Sequence, residues 1–433
     1  MKKIALLFVL LVSLTGLSFA KNSFTHRFFE FKVDVPVDVS NNLLGIKDIF
    51  QETVVIDLSE IAKNVAFKGA AIKAFAAPSF SLNLDIPSGL ILGFSLGAEA
   101  DVSVGLSKDL FEFLGEGNLG MGNEMQVETS NTYADIFATA AVKGGWNFKK
   151  SKIEFTATAF STLAHFDASE TSARFYLNNS TNKAGVEAHI GAKGYTIADV
   201  NDLSNIQTLM NSISDSIGFD VAAKYERDIF KFLTVGGQAR LPLVPSRLSV
   251  AYTVDYPVLD EEIGFDQFLG TDDDSGDSGS SSVPPAGDDD LEGYEKYLGK
   301  PTKLETPYAI HRPLKLGVSA DFHPFGTLLS TKGYVGVGFR HPFASAINKE
   351  NGGADETQFY VDYSIGGRLS LWNVLSFSLS HSYMDEIFKN QLAVELNIRL
   401  IEVDAGVSFS STNFTKSFTG AGVGAFVTVC IGF

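Results

Sequence analysis

The chain has 433 residues, a formal charge of −17, one cysteine and 40 glycines. One cysteine rules out an intramolecular disulfide framework, and no run of 18 apolar residues follows residue 20, so no segment is long enough for a membrane helix. The acidic balance disfavours polyanions such as nucleic acid as partners.

The first 20 residues read as an export signal. Lys2 and Lys3 supply the positive start, residues 4–17 the apolar stretch, and Ser18-Phe19-Ala20 the small residues before cleavage at Lys21. Cleavage removes two lysines, so the mature charge becomes −17 − 2 = −19. No cysteine follows the site, which argues against a lipoprotein anchor.

From residue 29 onward the dominant pattern is alternation, the mark of strands with two unlike faces. It runs through 29–39, 90–106, 153–163, 248–256 and 314–322. It is clearest in the last third. Phe359, Val361, Tyr363, Ile365, Leu369 and Leu371 alternate with Tyr360, Asp362, Ser364, Gly366, Arg368 and Ser370. The stretches 375–382, 392–400 and 403–410 repeat it. These segments commonly reach ten residues or more. Soluble strands run to about 5–6, whereas a strand crossing a bilayer needs about 9–11. Short connections alternate with long ones, as in barrels that cross an outer membrane.

Together these features predict an all-β protein: a closed antiparallel transmembrane barrel of 14–16 strands occupying 21–433, with a few short helices that plug or cap the lumen. Two short stretches, 57–65 and 108–114, read as helical and fall at the long-loop end. A longer amphipathic stripe includes Val200, Leu203, Ile206, Met210 and Ile213. Strand parity puts it at the inner, short-turn end, either plugging the pore or packed on the rim.

Residues 257–310 form the longest break in the pattern. They hold 14 acidic residues and three lysines, a net of 3 − 14 = −11. Parity places this segment outside the cell. Asp272, Asp273, Asp274 and Asp277 are candidate divalent-cation ligands, although no Glu closes a calcium loop at the twelfth position. The alternative is a solvated loop too polar to order.

The chemistry of an enzyme is not evident. None of the seven histidines stands in a zinc-protease spacing, no serine-hydrolase elbow is present, and no cofactor is indicated. The inward charges are better material: Lys315, Asp321, Arg340, Asp362, Arg368, Glu395, Arg399 and Asp404. Their mixed signs suit either selectivity rings or pairs that brace the wall. Phe137, Phe160 and Phe426 also face inward, lining a path for a lipid-like solute or packing on a plug.

The chain closes on alternating Val423, Ala425, Val427, Val429, Ile431 and Phe433. With the export signal and the strand pattern, this ending resembles that of bacterial outer-membrane barrels. The resemblance implies that Val427, Val429, Ile431 and Phe433 are read by the barrel-assembly machinery, and that membrane lipid surrounds the mature chain. Strand number, inward phenylalanines and plug helices also resemble FadL-type transporters of long-chain fatty acids, whose Asn-Pro-Ala plug tripeptide this chain lacks. The functions implied are passage or uptake of small solutes, hydrophobic ones included; a surface interaction or adhesion barrel using the acidic loop; or, last, an outer-membrane hydrolase. A closed barrel should migrate differently on a detergent gel before and after boiling. Identical mobility, with no protease protection in membranes, counts against the fold.

Overall fold

The computed structural model describes residues 27–41, 70–109, 111, 124–129, 132–168, 171–178, 183–199, 206–264, 302–340, 342–343, 358–384, 387–419 and 422–433. The export signal, the 57–65 helix candidate, Val200, Leu203 and Asp272, Asp273, Asp274 and Asp277 lie outside them.

Fourteen antiparallel strands close into a barrel. The wall begins with β1 (Phe29–Asn41) and continues through β2 (Ala70–Ala76) and β3 (Ser79–Asp85), which share one wall position, to β4 (Leu90–Leu106). Next come β6 (Tyr133–Asn147), β7 (Ser151–Asp167), β10 (Gly218–Phe230) and β11 (Leu233–Val244). The second half is β14 (Leu314–Phe322), β15 (Leu329–Arg340), β16 (Gln358–Leu371), β17 (Leu375–Met384), β18 (Ile387–Asn397), β19 (Ile401–Ser411) and β20 (Gly422–Gly432). The seam is β1 against β20, in register from Glu30↔Gly432 to Val39↔Val423. Phe29 and Phe433 lock its lower end by exchanging two backbone hydrogen bonds of 3.0 Å.

Alternation sets the two faces. Val35, Phe94, Val142, Phe155, Leu316, Leu379 and Val427 all point outward and stay exposed. At 64% and 63% exposure, Val318 and Leu379 suit hydrocarbon, not water. The inner face is polar, and its glycines have a specific use. Tyr360 lies over Gly338, Tyr334 over Gly317 and Gly336, and Phe426 over Gly406. A Cβ at any of these positions would overlap the ring, so glycine lets an aromatic lie over the neighbouring strand or, at Gly336, over its own.

Five strands are not part of the wall. They are β5 (Glu124–Glu128), β8 (Ser172–Asn178), β9 (Lys183–Thr196), β12 (Ser246–Gly264) and β13 (Thr302–Ile310). The order β5–β8–β9–β12–β13 extends the sheet beyond the long-loop end, joined where Ala164 to Asp167 of β7 leave β10 and pair with β9. Two strands of the 257–310 segment are therefore ordered: β12 continues to Gly264 and β13 starts at Thr302.

This extension corrects one expectation. Helix α1 (Ile206–Asp215) lies at the long-loop end, not the short-turn end. It joins Thr196, which pairs with Ala164 high on β7, to Gly218, which pairs with Phe160 just below. Parity failed because 248–256 reads as a crossing of its own, whereas β12 only continues β11 upward past the wall.

The glycine seats give a direct test. Gly338→Val should displace the Tyr360 ring and cost about 1–3 kcal/mol, as overpacking does. The check is a lower temperature for loss of the compact band on a detergent gel. An unchanged temperature excludes the seat as a stabilising feature.

Candidate functional site: a charged chamber in the barrel mouth

A fourteen-strand lumen is too wide for wall side chains alone to fill. Here the extension enters it. Tyr308, Ala309, Ile310, His311 and Arg312 are consecutive and all buried. A strand with one wet face would bury alternate residues, so this run is covered on both faces. On one side it joins an apolar cluster of Phe137, Phe160, Tyr195, Ile197, Leu248, Ala251, Tyr308 and Ile310. Leu209 and Ile213 of α1 pack against the same cluster, while Met210 stays exposed. Ile206 begins the helix.

Polar contacts fix the insert to the wall. Arg312 reaches Asp220 of β10 at 2.7 Å and Glu99 of β4 at 2.5 Å. The Arg240 Nε of β11 donates to the Pro313 carbonyl at 2.9 Å. The Thr162 amide donates to the Ser246 hydroxyl at 2.7 Å. His165 and Asp135 join at 2.7 Å, and the imidazole lies parallel to the stacked rings of Tyr195 and Tyr308.

The insert fills the β6–β7–β10 side of the mouth and leaves a chamber of about 320 Å³ against the facing wall. Its apolar lining includes Phe75, Phe137, Met384 and Ile387. Its charged lining is Asp38, Glu99, Asp101 and Asp135 with Lys73, Arg240, Lys315, Arg340 and Lys389. Most of these charges brace one another. Lys389 meets Asp38 at 2.9 Å, and Ser408 and Ser410 also donate to that carboxylate. Arg340 meets Asp101 at 3.4 Å, lies over the Tyr133 ring and bonds its hydroxyl. Lys315 stands 4.0 Å from Asp362 and 5.6 Å from the Tyr360 ring. Burial pushes the His311 imidazole below its ordinary pKa, favouring the neutral form.

The remaining candidates lie elsewhere. Arg368 pairs with Glu395 at 2.6 Å, with Asp404 opposite Glu395 on the inner wall. Asp321 sits near the short-turn end, 3.8 Å from His323. Arg399 is not on the wall: it occupies the β18–β19 turn at φ 72°, exposed. Alternation carried past the end of β18 at Asn397, where the chain had already turned. Val427 and Ile431 face outward beside Val429, while Thr428 and Cys430 are buried inward. Sequence reasoning missed Arg312, Asp220, Glu99 and Arg240. The first lies outside any strand, and nothing in the pattern shows which wall residues an insert will meet. Among the described residues, no group of three or more His, Cys, Asp or Glu is placed to hold a metal ion.

No family model matches the chain, and no curated protein matches it. Solved structures with similar outlines include the Ralstonia pickettii toluene transporter TbuX, at 9% identity over 95% of this chain and 91% of that one, TM-score 0.45. The Pseudomonas putida toluene transporter TodX gives 9%, 96%, 92% and 0.46. A Pseudomonas aeruginosa FadL homologue gives 10%, 94%, 90% and 0.42. At these identities and TM-scores the likeness says nothing of what this chain carries.

Arg312 is the contact to test. Arg312→Met leaves Asp220 buried without its cation, which costs about 3–5 kcal/mol. Limited proteolysis should then cut the 302–313 region before the barrel loses its compact gel band. Adding Asp220→Asn should restore much of the protection. Equal protection in wild type and Arg312→Met removes the clip.

Proposed function

We propose that the protein is an outer-membrane barrel that passes small solutes, hydrophobic ones among them, through a lumen narrowed by the β12–β13 insert. The observation that carries this reading is the buried run Tyr308–Arg312 inside a closed barrel, beside a chamber lined by both apolar and charged side chains. A purely structural barrel has no need of a chamber there, since an unbroken apolar filling would be more stable than buried ion pairs. On this reading the long-loop end faces outside and the short turns face the periplasm. Membrane lipid surrounds the apolar belt, and the assembly machinery reads Val427, Val429, Ile431 and Phe433.

Helix α1 serves as backing for the insert, not as a pore plug, because Leu209 and Ile213 face the cluster that holds it. Passage then requires the insert to shift, and the ionic clip at Arg312 sets how readily it does. In planar bilayers the wild type should show small or rare openings, and Arg312→Ala should raise the open fraction several-fold. No conductance in either protein, with no solute uptake by cells, would sink the reading.

A further inference from the structure

The chain is strongly acidic, yet its short-turn end is not. The six turns at 86–89, 148–150, 231–232, 323–328, 372–374 and 398–400 hold Lys149, Lys150, Lys231, His323 and Arg399, and no carboxylate. Three of these cations gather in one place. The Lys150 carbonyl accepts from the Asp228 amide at 2.8 Å, which sets the 148–150 turn against the lower end of β10. Arg227 joins them there, in register with Ser151. Lys149, Lys150, Arg227 and Lys231 are all exposed, and among the described residues none has a carboxylate within ion-pair distance. The neighbouring acids alternate inward and are engaged. Glu226 meets Lys224 at 2.8 Å, and Asp228 accepts from the Thr234 hydroxyl at 2.7 Å.

Directly above this cationic foot, the outer face of the wall is hollowed. A trough of about 550 Å³ is lined by Ala223, Tyr225, Gly237, Ala239, Val318 and Val335. One cross-strand row runs through it. Trp146, Ile153, Tyr225, Gly237, Val318 and Val335 are each the register partner of the next. The row dips at Gly237. A Cβ there would meet nothing nearer than the Gly317 carbonyl oxygen at 3.9 Å, so close packing does not require glycine. Its missing side chain leaves the hollow open. Arg227 pairs with Val235, two residues below Gly237, which is about 7 Å at the rise of a strand. The trough therefore runs up into hydrocarbon from a cationic foot at its polar edge.

We propose that trough and foot together bind an anionic phospholipid of the inner leaflet, with one acyl chain in the trough and the phosphate on Arg227 and the lysines. A guanidinium holds phosphate in a two-point fork, and clustered cations at a membrane face favour anionic headgroups. A zwitterionic lipid brings its own ammonium group to the same foot and gains less there. A free phosphate has no chain for the hollow. The leaflet rests on the reading above that the short turns face the periplasm, and the site does not depend on passage.

The chain has two tryptophans, and they suit the test. Trp146 stands outward at the end of the row that crosses the trough, whereas Trp372 lies in the β16–β17 turn. The full chain is reconstituted in phosphatidylcholine bilayers containing a rising share of phosphatidylglycerol or phosphatidylcholine with brominated chains. Quenching is read from Trp372→Phe, which reports on Trp146, and from Trp146→Phe, which reports on Trp372. Phosphatidylglycerol should be preferred at Trp146 by at least about fivefold, the scale of one cation near a membrane surface, and by less at Trp372. Arg227→Gln combined with Lys150→Gln should reduce the preference at Trp146 to that at Trp372, and Arg227→Lys should keep part of it. Gly237→Leu fills the trough and should reduce the preference with the foot intact; if it fails to assemble, Ala239→Leu fills the same space. Equal preference at the two tryptophans, or no change in the filled variants, overturns the site. Full competition by excess inorganic phosphate also overturns it, since the foot would then bind phosphate without the chain. Loss of the preference in a protein that conducts removes the site and leaves passage standing. A preference in a protein that never conducts supports the site and removes passage.

Discussion

Everything in this molecule follows from the need to pair backbone groups where water cannot. A wall strand in hydrocarbon has no solvent to satisfy its amides, so the sheet must close on itself. The β1–β20 seam does this, from the Phe29–Phe433 hydrogen bonds upward to Val39↔Val423. Closure at fourteen strands then creates a second problem, a lumen wider than its side chains can fill. Glycine seats for Tyr334, Tyr360 and Phe426 line part of that space with aromatic surface. The β12–β13 insert occupies another part, and the chamber is what remains.

The wall was legible in the sequence because its two environments differ along every strand. Lipid selects one face and the wet lumen the other, so a period of two survives from Phe29 to Phe433. The extension was not legible for the same reason. Strand β12 alternates over 248–256 as a wall strand does, yet it only prolongs β11 past the wall. Counting it as a crossing put α1 at the wrong end. The run Tyr308–Arg312 carries no period at all, being buried on both faces, and a buried aperiodic run cannot be told by pattern from a loop.

The candidate site was half legible. Lys315, Arg340, Asp362 and Phe137 were found by alternation alone, because each sits on a regular wall strand. The pairings were not, since Lys315 and Asp362 belong to different strands and Arg340 meets Asp101 more than two hundred residues away. Pairing in a barrel is set by register and height, and neither is local in sequence. Arg312 illustrates the limit: it lies in a three-residue connection, yet it joins β4 to β10 across the inside of the wall.

The insert is held by two unlike forces, and the difference bears on how it can move. Its apolar side, from Phe160 to Leu248 and Ile310, is buried by area and has no preferred direction. Its polar side is held by a few charges at defined points, above all Arg312 between Asp220 and Glu99. Burial of this kind resists withdrawal from the barrel but tolerates small shifts, whereas an ion pair is lost within a few ångströms. A displacement that kept the apolar cluster and broke the Arg312 contacts would therefore widen the chamber without expelling the insert. It would also leave Glu99 and Asp220 without the cation that now balances them, so the charge on the chamber wall would depend on where the insert sits. The width of the chamber and its charge are thus both set through one arginine.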